Sequence, residues 1–163
     1  MSKISEIAKS YLGQKEISGN KGFVNKDFDK KMRSIGFYSG APWCGFFALL
    51  VYTEAKQSIK LLSASSARII EKATTADNWH AEPKEGAVVV WATFKNGERQ
   101  ATGHIGIVTE VKDAINYTTA EGNTTDKGGR EGIMVALRNR HLTKDKWTVD
   151  NGLRLMGFVY PEE

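Results

Sequence analysis

"GAVVVWATFKNGERQATGHIGIVTEV", residues 86–111, decides the fold. Valine, isoleucine, threonine and aromatic residues dominate both of its ends, the composition of a pleated and largely buried strand. Between the two ends, Asn96-Gly97 within "KNGE" is a two-residue hairpin signal, because a tight turn matching strand twist needs residues that tolerate positive φ. The stretch is therefore expected to form two antiparallel strands. Similar runs follow in "AINYTTAEGN" (114–123), "GIMVALR" (132–138) and "GLRLMGFVY" (152–160), separated by Gly, Asn and Asp turns.

Upstream of residue 86 the period changes to that of helices. Ile4, Ile7, Ala8, Tyr11 and Leu12 share one helical face, with Ser2 as N-cap and Gly13 as the stop. After the Gly- and Asn-rich loop "EISGNKGFVNKD", residues Phe28, Met32 and Ile35 predict a short amphipathic helix closed by Gly36. "GAPWCGFFALLVYTEA" (40–55) reads as a third helix with a buried stripe of Phe47, Leu50, Val51 and Ala55, and "SASSARIIEKA" (63–73) as a short fourth. Helices first and strands afterwards, with short connections, predict an α+β domain spanning 1–163 with its helices packed on an antiparallel sheet.

With 163 residues, 40% of them hydrophobic and 26% charged, the chain can bury a core and falls outside the disordered and membrane classes. Its net charge of +4 is too mild to demand a polyanionic partner, and the basic stretch "RNRHLTKDKW" (138–147) matches no nucleic-acid motif. No nucleic acid and no membrane insertion are expected, since no run approaches the length of a membrane span. "MSKISEIAKSYLG" lacks the apolar core and cleavage site of a secretory signal, so the expectation is synthesis in the cytoplasm without a signal peptide.

The chain holds one cysteine, Cys44, which excludes an internal disulfide and a cysteine-rich zinc site. Read alone, a lone cysteine is a small hydrophobe. Pro42 suits a helix entry, however, and places Cys44 in the first turn, where the positive end of the helix dipole favours a thiolate. Gly45 beside it would leave room for a substrate. A nucleophilic thiol needs a base held by a third group. Of the three histidines, His80 and His141 lie in polar segments and read as surface residues. His104 opens a predicted strand directly after Gly103, and Glu121 and Asn123 fall on one side of the next strand, where either could hold its second ring nitrogen.

Taken together, "PWCGFF", the strand pair "GAVVVW" and "GHIGIV", and "AEGN" followed by "REG" resemble the CHAP family of cysteine- and histidine-dependent amidohydrolases and peptidases, within the wider papain-like group. The resemblance implies a papain-like fold with Cys44 as nucleophile at a helix N-terminus, His104 as general base and then acid, Glu121 as the group orienting His104, and Asn123 as a fourth polar member. The Cys44 backbone N–H would form part of the oxyanion hole. Tyr38 is a candidate side-chain donor there, with a rim or core tyrosine as the plain alternative. Trp43, next to the nucleophile, is expected to wall a substrate groove. Arg130, in the glycine-rich "TTDKGGREG", is a candidate for meeting a stem-peptide carboxylate, and a plain hairpin loop is the other reading.

The family cleaves amide bonds in peptidoglycan. The resemblance and the Trp43 wall together favour the bond between N-acetylmuramic acid and L-alanine over one within the stem peptide or cross-bridge. Other classes are a papain-like enzyme acting elsewhere than on cell wall and a non-catalytic cell-wall binding module. No cofactor and no metal are expected. Zinc and phosphate-loop spacings are absent, and Asp27 and Asp29 form no calcium-loop pattern. The expected setting is a monomeric phage lysin released at lysis, or an effector delivered by a secretion system with an immunity protein as its partner.

Overall fold

The computed structural model describes residues 2–124, 133–142 and 152–162, with 123 and 124 by backbone only. Four helices come first: α1 (Lys3–Ser10), α2 (Lys26–Ser34), α3 (Cys44–Glu54) and α4 (Ser66–Thr75). Five strands follow: β1 (Val88–Lys95), β2 (Glu98–Val111), β3 (Asn116–Thr124), β4 (Met134–His141) and β5 (Gly152–Val159). The α+β architecture expected from the sequence is the one observed.

Side-chain caps set three of the helix starts. Ser2, Asn25 and Ser65 accept from the backbone N–H of Ser5, Phe28 and Arg68 respectively, satisfying donors that have no partner inside their helices. The sheet is antiparallel throughout, in the order β4-β3-β2-β1-β5. Its central hairpin turns at Asn96 and Gly97, whose φ values of 51° and 78° are those the Asn-Gly pair is suited to adopt. The β1–β2 ladder runs from Lys95↔Glu98 down to Val88↔Ile107, with an irregularity between Ala92 and Phe94.

Both sheet faces are covered by apolar side chains. The larger core joins helix residues such as Ile4, Phe28, Met32, Phe47 and Ile69 to Val88, Val90, Ile105, Ile107 and Val135. A smaller cluster of Val89, Trp91, Val108, Tyr117, Leu155 and Phe158 gathers the alternate strand positions. At the centre of the larger core lies α3. The sequence predicts a single buried stripe there, whereas Cys44 through Ala48 and Leu50 through Tyr52 are all buried. A helix apolar on every side belongs inside the fold, and the sheet, α1 and α2 enclose it.

Candidate active site

Cys44 is the first residue of α3, and Trp43 caps the helix without a side-chain hydrogen bond. No cap side chain therefore competes for the N–H groups of the first turn. Pro42 stands just before the cap, outside the first turn, and Cys44 lies in that turn as expected. Gly45 corrects a second expectation. A Cβ there would lie 2.6 Å from Ala64 Cα and 2.7 Å from the Ser63 carbonyl oxygen. The chain leading into α4 fills that space, so the glycine seats α3 closely and leaves no substrate gap.

His104 lies well inside β2 and not at a strand start. The Asn96-Gly97 turn continues the ladder to Glu98, and His104 is paired with Trp91 of β1. Its Nε2 and Glu121 Oε1 are 2.7 Å apart, with the histidine 1% and the glutamate 0% exposed. Glu121 can reach His104 because the residue between them is Gly106. A Cβ at 106 would stand 2.9 Å from Glu121 Cγ, so the pattern His-x-Gly clears a channel across β2 for the carboxylate.

With Nε2 engaged by Glu121, only Nδ1 of the ring remains for the thiol. It is buried, short of full hydrogen-bond geometry with any partner among the described residues. The Cys44 side chain is nevertheless close enough to raise the affinity of His104 for a proton. Among the histidines, His104 is thus the one brought to Cys44. His80 is half-buried, stacked on Tyr160 with ring centroids 3.7 Å apart and bonded to Asn78, so it is not the solvated residue expected; His141 ends β4.

Two groups at Glu121 were missed in the sequence. Arg140 of β4 grips the carboxylate with both arms, Nε donating to Oε2 at 2.9 Å and Nη2 to Oε1 at 2.7 Å. The Thr119 hydroxyl, two residues before Glu121 and so on the same strand face, donates to Oε2. Trp91 adjoins both cations: the His104 ring centroid is 5.6 Å from its own, and the Arg140 guanidinium 4.4 Å.

Burial drives both members of the central pair toward neutrality, and each is overruled by its neighbours. For His104, desolvation is outweighed by the Glu121 carboxylate and the Cys44 thiol, and the pKa is pushed up to about 9 from an ordinary 6.5. For Glu121, desolvation is outweighed by His104 and Arg140, which hold the carboxyl far below the usual carboxylate range. The His104 contribution to stability is full below pH 6.5 and lost as pH rises toward 9; that of Glu121 is full above 4.5 and lost as pH falls. Thermal melting is therefore expected to be highest between about pH 4.5 and 6.5 and to fall from there to pH 9, with that fall missing in His104→Ala. A wild-type melting temperature flat from pH 6.5 to 9 would contradict this coupling.

The substrate-contact expectations fare differently. Trp43 is 0% exposed, set edge-on to Phe23 at 4.9 Å, and packed so tightly that a Cβ at Gly122 would lie 2.7 Å from its ring. A fully enclosed indole presents no face to a sugar, so Trp43 is a core residue and not a groove wall. Tyr38 is 65% exposed, its ring edge-on to Phe46. Arg130 and the side chain of Asn123 lie outside the described residues. Among the described residues, no group of three His, Cys, Asp or Glu side chains is placed to hold a metal ion, and no helix is long and apolar enough to cross a membrane.

The model of the CHAP domain matches residues 36–123, more than half of the chain and a span that contains Cys44, His104 and Glu121. The chain belongs to the CHAP family. Comparison with curated proteins and with solved structures gave no match. CHAP domains are cysteine- and histidine-dependent amidohydrolases or peptidases, and membership implies hydrolysis of amide bonds in peptidoglycan as the class of activity. Arg140 lies beyond the part of the chain that the CHAP model covers.

Proposed function

We propose that this protein cleaves an amide bond of peptidoglycan with Cys44 as nucleophile, His104 as general base and then acid, and Glu121 as the group that fixes the ring. The observation carrying the reading is the buried 2.7 Å contact between His104 Nε2 and Glu121, which leaves Nδ1 to serve a thiol at the start of α3. The Cys44 thiol passes its proton to Nδ1 and its sulfur adds to the amide carbonyl. The resulting oxyanion is met by the Cys44 backbone N–H. His104 then protonates the leaving nitrogen as the C–N bond breaks, giving a thioester and a free amine. A water that loses a proton to His104 opens the thioester, releasing the carboxylic acid and restoring the thiol. Asn123 is assigned as a fourth polar member, and Tyr38 and Arg130 as substrate contacts.

The bond we assign is that between N-acetylmuramic acid and L-alanine. With Trp43 in the core, this choice rests on the family likeness, and Tyr38 is, among the described residues, an exposed aromatic able to meet a sugar or peptide. The protein acts as a single-domain monomer reaching the wall by phage lysis or by a secretion system, the latter implying an immunity partner. Mass spectrometry of digested sacculi tests the assignment. Intact stem peptides with a free L-alanine amino terminus, and glycan strands still long, are expected. Disaccharides carrying shortened peptides, seen after muramidase treatment, would replace the amidase with an endopeptidase using the same residues.

A further inference from the structure

We propose that Arg140 is a positioning residue that serves as the permanent counter-ion of Glu121, keeping the carboxylate charged and in place during the part of each cycle when His104 is neutral. The inference rests on His104 acting as base and acid, as proposed above. A histidine in that role must alternate between charged and neutral forms. Each time it is neutral, a fully buried carboxylate paired with it alone would be an uncompensated charge, which is costly in a low-dielectric interior. The carboxylate would then pull the proton back from any donor and resist giving it up to a leaving group.

The structure supplies a second cation that never loses its charge. Arg140 reaches Glu121 through two N–H bonds of 2.9 and 2.7 Å, one to each carboxylate oxygen, an arrangement that holds the orientation of the carboxylate as well as its charge. The guanidinium is itself held, lying 4.4 Å from the centre of the Trp91 ring with only 17% of its side chain exposed. Thr119 donates to the same oxygen as Arg140 Nε, so Oε1 alone faces His104 while Oε2 is occupied from the other side. Among the described residues, the titratable and charged groups that act on one another here are Cys44 from α3, His104 from β2, Glu121 from β3 and Arg140 from β4. Arg140 is the member of that set whose charge is independent of pH.

The test is the titration of the His104 ring, followed by NMR without substrate, in wild type and in Arg140→Gln. Loss of the fixed cation is expected to raise the pH of half-protonation by about one pH unit, a tenfold gain in proton affinity. Turnover at pH 7 should fall about tenfold with KM little changed, and should recover in part as the pH is raised and His104 is freed of its proton. Arg140→Lys, which keeps the charge and loses the fork, should titrate close to wild type. If Arg140→Gln fails to fold, the Glu121→Gln/Arg140→Gln double variant removes both charges and should fold. An unchanged His104 titration in a folded Arg140→Gln, or a double variant that also fails to fold, overturns the proposal. Because the titration needs no substrate, its failure is separate from a failure to digest sacculi, which would count against the proposed function alone.

Discussion

Cys44→Ala is expected to reduce digestion of purified sacculi to the level of a no-enzyme control while leaving the fold in place. Without the sulfur no thioester can form, and the remaining hydrogen-bond donors cannot replace a nucleophile. The structural effect should be small. Cys44 is 6% exposed at the start of a helix enclosed by the larger core, and its replacement removes one buried atom without introducing a polar one. Such a change costs about 1 kcal/mol. Thermal unfolding should then differ by only a few degrees and circular dichroism should superimpose. A variant that still solubilises sacculi near the wild-type rate would remove Cys44 from the reaction.

Glu121→Gln should be nearly as damaging, and in two respects at once. The amide keeps the shape of the side chain but cannot offset a charged imidazole, and its NH2 group can turn toward His104 and impose the wrong tautomer. A loss of turnover of about a thousandfold is expected, with substrate binding much less affected. The same change takes two carboxylate bonds from Arg140, whose guanidinium is largely buried against Trp91. Removing one partner of a buried ion pair costs about 3 kcal/mol. Chemical denaturation should therefore show a clear loss of stability in Glu121→Gln, unlike Cys44→Ala. Unchanged turnover would pass the orienting role to Asn123, and unchanged stability would contradict the buried pairing with Arg140.

Local patterns carried the secondary structure because the deciding signals are short-range. Ser2 and Ser65 precede helical periods, and the Asn96-Gly97 turn joins two runs of β-branched residues. Cys44 and His104 were legible from helix-start chemistry and from motif order. What failed depends on packing that no local pattern encodes. Trp43 reads as a groove wall because it adjoins Cys44, and its enclosure by Phe23, Phe28 and Gly122, which puts it in the core, leaves no trace in the local sequence. Gly45 looked like an opening because the approach of Ala64, nearly twenty residues away in the chain, leaves no local trace. Arg140 was hidden in a stretch that reads as a solvated basic run. Its signal is conditional: once Glu121 is taken as a buried partner of His104, a second cation on the neighbouring strand is what electrostatics requires.

The most direct measurement for the central claim exploits the single cysteine of this chain. Wild-type protein treated with limiting iodoacetamide can be followed by intact mass and by digestion of sacculi in the same samples. The prediction is that activity falls in proportion to the fraction carrying one carbamidomethyl group, mapped to Cys44, and reaches zero when that fraction is complete. Fully alkylated protein that still cleaves peptidoglycan would contradict it.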